Sequence, residues 1–116
     1  MMRFLLLLGG PDHHARWAAL SEEQKQTAYA DFSAFAKAVA ERGELIDGDA
    51  LQPDTTSRTI REDGSVTDGP FAESVEQLGG YYVIDVPSID DAVALAKLLP
   101  KHFAVEIRPT QGVQIR

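Results

Sequence analysis

Cysteine is absent from the 116-residue chain, which removes disulfides, zinc ribbons, iron–sulfur clusters and a thiol nucleophile together. Positive charge is scarce. Eleven Lys and Arg stand against 18 Asp and Glu, a net charge of −7, and the pI is near 4.8. Neutralising a phosphate backbone requires clustered cations, and the few present here are scattered, so neither nucleic acid nor an anionic membrane surface is an expected partner. Long hydrophobic runs are missing as well. The stretch Phe4-Leu5-Leu6-Leu7-Leu8 is shorter than the roughly 7 to 15 residues of a signal-peptide core and far from the roughly 18 needed to cross a bilayer. It is read as a strand, and a soluble, cytoplasmic protein is expected.

Two catalytic loop types are also lacking. Gly9-Gly10-Pro11 has neither the spacing nor the Lys-Ser/Thr ending of a phosphate loop, and no serine sits in a Gly-x-Ser-x-Gly elbow. Nucleotide-driven chemistry and that hydrolase class find no support. No cofactor and no tightly bound transition metal are expected, because Cys is missing and the adjacent His13 and His14 would not share a helical face.

The remaining composition, 44% hydrophobic and 25% charged, is that of an ordinary globular chain, and the length suits one domain over residues 1–116. A chain this short buries only about two thirds of its unfolded surface, so self-association is an expected way to cover more.

Arg3 to Leu8 is apolar without alternation, the pattern of a central strand buried on both faces. Ser21 and Gln24 have capping-box spacing ahead of Ala28, Phe32, Phe35, Ala36 and Val39, which predicts a helix ending at Gly43, with a short turn at Trp17 to Leu20 before it. Strands are expected at Glu44 to Leu51 and Thr55 to Arg61. Glu62-Asp63-Gly64-Ser65 then signals a hairpin returning through Val66 and Thr67. Gly80 to Val86 is a second two-faced strand. Ser88 caps a helix with Ile89, Val93, Ala96 and Leu99 as its stripe, stopped by Pro100. Ala104 to Arg108 is the last strand, with Val113 to Arg116 as a tail that can pair along an edge. This β-α-β-(hairpin)-α-β order predicts an α+β, ferredoxin-like split βαβ fold with a hairpin insertion. In it the first strand and Gly80 to Val86 are central. Two helices cover one face of such a sheet, and a second copy of the chain is the simplest cover for the other.

The most distinctive segment is Asp68-Gly69-Pro70-Phe71, followed by Glu73, Glu76 and Gly79-Gly80-Tyr81 at a strand entrance. With the helix ending at Gly43, Ser88-Ile89-Asp90-Asp91-Ala92, and Val105-Glu106-Ile107-Arg108-Pro109, it resembles the DGPF family, a branch of the YciI-like (YCII-related) proteins. The resemblance spans nearly the whole chain. It implies a dimeric α+β barrel and no settled activity. YciI-like proteins also carry a histidine on the first helix, about three turns before its terminal Gly. Counting back from Gly43 reaches Phe32, so acid–base work would pass to other residues.

Asp68, Glu73 and Glu76 are the candidate catalytic carboxylates, since crowded carboxylates raise one another's pKa. Glu73 and Glu76 would share a face if their segment is helical. The structural alternative has Asp68 accepting from the turn backbone, Phe71 filling the core and the glutamates solvated. Arg58 and Arg108 are candidate anchors for an anionic substrate group or ordinary ion-pair partners, and His13 follows the first strand where a cleft often opens. The functional expectation is a homodimer binding a small polar or aromatic molecule in a cleft. It includes cofactor-free proton transfer of isomerase or lyase type, with a ligand-sensing or interaction module as the alternative.

Overall fold

The computed structural model describes residues 1–72 and 76–113. The N-terminal apolar run forms β1 (Met2–Pro11), longer than expected because it continues through both glycines. Its register slips between Leu8 and Gly9. There the neighbouring strand comes so close that a Cβ on Gly9 would stand 2.0 Å from the Gln77 carbonyl oxygen, and only glycine admits that bulge.

The chain then forms α1 (His13–Ala18), α2 (Glu22–Arg42), β2 (Glu44–Ala50), a 3₁₀ turn at Asp54–Thr56, β3 (Arg58–Ile60) and β4 (Val66–Asp68). It ends with β5 (Glu76–Val86), α3 (Ile89–Ala96) and β6 (Ala104–Pro109). The capping box of α2 is complete, with Gln24 N–H donating to Ser21 Oγ and Ser21 N–H donating to Gln24 Oε1. The short turn expected at Trp17 to Leu20 begins earlier, as α1. The strand expected from Thr55 shrinks to Arg58–Ile60. Ahead of it Thr56 Oγ1 donates to the Pro53 carbonyl and Ser57 Oγ to that of Asp54, local bonds that draw the backbone out of a ladder.

The main sheet is antiparallel with order β2-β5-β1-β6, so the two strands that read as apolar on both faces are its central pair. This is the α+β, ferredoxin-like arrangement expected. Alternation along the strands sorts the side chains. Phe4, Leu6, Leu8, Ile84 and Val86 point to the helices and join Phe35, Val39, Ala92, Leu95 and Leu99 in the core. The α3 stripe therefore differs from the expected one. Ala92, Leu95, Ala96 and Leu99 are buried, while Ile89 and Val93 are exposed, because the helix lies rotated about one position around its axis from the face read in the sequence.

Opposite strand partners share a face, so Leu5 and Leu7 stand with Val83 and Tyr81 on the side without helices. These positions are only half-buried. β3 and β4 form a separate two-stranded sheet, turned at Gly64 (φ +88°) with Asp63 Oδ1 accepting from Ser65 N–H. The hairpin makes the molecule wide and thin, 44 × 42 × 20 Å, and the radius of gyration is 15.6 Å against about 13 Å for a compact chain of this length. The part of the expected edge-pairing tail at 114–116 lies outside the described residues. Among the described residues no helix is long and apolar enough to cross a membrane.

Phe35 is fully buried between the helical layer and Tyr82, whose ring lies 4.8 Å away. Phe35→Ala is expected to cost about 3–5 kcal/mol in urea unfolding; a loss below about 1 kcal/mol would show that the core is not centred there.

Candidate functional site

The Asp68-Gly69-Pro70-Phe71 turn leaves β4 through Gly69, whose φ of +95° favours glycine. Two side chains to which the sequence assigned no site role, Thr59 and Arg61, tie it down. Thr59 Oγ1 donates to the Gly69 carbonyl at 2.8 Å, and Arg61 donates from Nη1 to the Phe71 carbonyl at 2.8 Å and from Nε to Thr67 Oγ1 at 3.1 Å. Gly69 N–H donates to the Ser57 carbonyl at 2.8 Å. The signal that could have found them was hairpin register, which puts Thr59 opposite Thr67. One local reading is corrected, and the alternative of an ordinary ion pair for Arg58 is what the hairpin contains. Phe71 is 79% exposed rather than a core residue, because the turn stands on the projecting hairpin. The Asp68 carboxylate meets Arg58 across the hairpin at 3.7 Å, and both side chains are largely exposed.

Glu76 is the first residue of β5 rather than part of a helix; Glu73, with which it would share a face if the segment were helical, lies outside the described residues. Glu76 and Arg58 line one groove of about 900 Å³. Leu7, Gly9 and Ala104 of the sheet form its floor, and Leu51, Pro53, Phe71 and Leu78 its apolar walls, with Gln77 and Glu106 also at its surface. Asp68 is not among the lining residues. Arg108 pairs with Glu106 two residues away on the same strand face and stays exposed.

His13 is placed by a different part of the fold. Its ring lies against β5, where a Cβ on Gly79 would stand 1.9 Å from its Nε2, so the sequence Gly79-Gly80 makes room for the imidazole. It packs on Phe103 at 5.0 Å and meets His14 edge-on at 4.9 Å. Phe103 in turn touches Phe32 of α2 at 5.8 Å. A second cavity, about 350 Å³, opens beside His13 and is walled by Arg16, Trp17, Leu20, His102 and Phe103. Among the described residues no three His, Asp or Glu side chains gather as a metal site.

His13 is the one buried polar or charged side chain among the described residues, 9% exposed. Burial, followed by the charges of His14 and Arg16, pushes its pKa below the usual histidine value. In the unfolded chain it titrates near ~6.5. Between that value and its lower folded one the unfolded state binds the extra proton, so stability falls as pH falls through that window. Urea unfolding from about pH 8 to 5.5 is expected to show this decline beginning near ~6.5, and His13→Gln is expected to flatten it. An equally steep decline in the variant would assign the effect to other groups.

Comparison with known proteins agrees with this geometry. The model of the YCII-related domain matches residues 2–110. The chain is also similar to an uncharacterized protein of Rhizobium meliloti, 37% identical over 99 residues that cover 79% of this chain and 80% of that relative. The match runs from the first residue of β1 to just past β6, so it takes in the sheet, the hairpin and both cavities, and the chain belongs to the YCII-related domain family.

Proposed function

We propose that the protein binds a small polar or aromatic molecule in the groove between the sheet and the hairpin, and moves a proton on it without a cofactor. The observation that carries this reading is the joint lining of one apolar groove by Arg58 and Glu76. Arg58 offers a planar fork of donors to an anionic oxygen. Glu76 supplies a carboxylate beside apolar walls, the setting in which a general acid or base is made. Asp68 acts on the ligand through Arg58, whose guanidinium it meets. Proton transfer by a carboxylate beside a bound anion is chemistry of isomerase or lyase type.

A screen of small aromatic and hydroxy acids by thermal shift tests this. A ligand at 100 times its Kd is expected to add ~2.7 kcal/mol of stability. Arg58→Gln and Glu76→Gln are expected to abolish that gain while leaving the unliganded Tm within about 2 °C, as befits exposed rim positions. Hits that stabilise both variants as well as the wild type would remove the groove from consideration. Phe32, standing where the YciI-like proteins have a helix histidine, favours a second reading, a sensor that binds without turnover. Solvent deuterium incorporation into a bound hit separates the two, since only the catalytic protein exchanges a carbon-bound proton.

The same reading includes a homodimer joined through the open sheet face. Leu5, Leu7, Val83 and Tyr81 form an apolar strip there, bordered by the Arg3–Asp85 pair, bidentate at 2.8 and 3.1 Å, and by Tyr81 Oη donating to Asp47 Oδ2 at 3.0 Å. An apolar centre with a polar border is the anatomy of an interface. Light scattering at micromolar concentration is expected to report twice the chain mass of 12.7 kDa, and Val83→Glu is expected to return the monomer. A wild-type monomer would refute the dimer.

A further inference from the structure

The second cavity is not used by the function above, and its chemistry runs against that of the chain as a whole. Acids outnumber Lys and Arg by 18 to 11, yet among the described residues no carboxylate lines this space; its polar side chains there are His13, Arg16, Gln24 and His102. Arg16 differs from the other described arginines. Arg3, Arg42, Arg58 and Arg108 are in ion pairs and Arg61 is hydrogen-bonded at the hairpin, whereas the Arg16 side chain has neither kind of partner among the described residues. A guanidinium left unpaired beside a cavity, in a protein with carboxylates to spare, is available to an anion from outside.

The rest of the lining is largely aromatic. Trp17 and Phe103 stack with centroids 6.1 Å apart and planes 22° from parallel, and the His13 ring packs on Phe103 at 5.0 Å, tilted by 33°. Tyr29 and Phe32 back this wall edge-on and tilted, at 5.9 Å from Trp17 and 5.8 Å from Phe103. Rings so braced keep one orientation and offer a π face to another ring. His102 adds a third feature. Its ring lines the cavity, and its Nδ1, like His14 Nε2, is enclosed with no hydrogen-bond partner among the described residues. At about 350 Å³ the cavity is near the small end of ligand sites, the size for a molecule of one or two rings.

We propose that this cavity is a binding site for a small planar aromatic carboxylate. The ring lies against Trp17 and Phe103, the carboxylate takes the Arg16 guanidinium, and an imidazole N–H from His13 or His102 completes its hydrogen bonds. Because burial keeps the His13 ring in its neutral form near pH 7, the charge recognition rests on Arg16.

Trp17 is the single tryptophan, so its emission reports this cavity alone. Titration of the full chain with benzoate is expected to change that emission saturably, with a Kd of about 0.1–1 mM, while acetate, which lacks the ring, and benzyl alcohol, which lacks the charge, change it at least about tenfold more weakly. Arg16→Gln, an exposed substitution that spares the fold, is expected to weaken benzoate by about tenfold or more. Arg58→Gln, in the other groove, is expected to leave the titration unchanged, so failure here and failure of the groove reading are separate results. No saturable change by ~10 mM benzoate, an equal response to acetate or benzyl alcohol, or an Arg16→Gln titration matching the wild type would each overturn the proposal.

Discussion

The antiparallel pairing of β1 with β5 runs from Met2↔Val86 to Pro11↔Glu76, and the remaining elements are arranged around it. Both strands are central, so each must be apolar toward the helices, and Phe4, Leu6, Ile84 and Val86 are fully buried there. The pairing also determines where the functional residues stand. The far end of the same ladder carries the Leu8/Gly9 bulge, Glu76, Gln77 and Gly79. The register slips between Leu8 and Gly9, and Gly9 lines the groove, while Gly79 leaves the hollow into which His13 fits. One backbone irregularity thus lies between the core half of the ladder and the half that borders the two cavities.

The two cavities differ in what they offer. The groove is bounded partly by a hairpin that has only its own β3–β4 ladder and a few side-chain ties, and a two-stranded sheet alone is of marginal stability. Its apolar Ile60, Val66 and Phe71 stand in solvent, so this wall has the least packing to hold it in place. The His13 cavity, by contrast, is built against the core. Its Phe103 wall packs on Phe32 of α2, and His13 is pinned on β5. A site of this kind is pre-organised, with little to gain or lose by rearrangement.

Charge is distributed to match. The acidic excess is spread over solvent-facing positions, where Asp90 and Asp91 favour the N-terminus of α3 and Glu22 and Glu23 that of α2. On the open sheet face Asp85 is held below the usual carboxylate range by its hydrogen bonds with Arg3, and Asp47 raises the Tyr81 phenol. Glu44 and Asp49 stand on the same face opposite Asp85 and Tyr81, so the border of the Leu5, Leu7 and Val83 strip is acidic along β2.

How much of this was legible in the sequence follows from which interactions are local. Unbroken apolarity identified the two central strands, the Ser21–Gln24 spacing identified the start of α2, and Asp63-Gly64 identified the hairpin, because each depends on a few neighbouring residues and on backbone preference alone. Asp-Gly-Pro-Phe with Gly-Gly-Tyr before a strand was enough to point to the family. The stripe of α3 was misread because apolar residues occur around most of that helix, and only its packing against the sheet selects Ala92 and Leu95 over Ile89 and Val93. Phe71 was misread for the same reason, since nothing in its neighbourhood states that the hairpin projects from the core. The joint lining of the groove by Arg58 and Glu76, and the gathering of Trp17, His13 and Phe103 around the second cavity, join residues far apart in the chain. Tertiary structure alone decided them, because strand register and the bulge at Gly9 set those distances, and no short segment carries the information that sets the register.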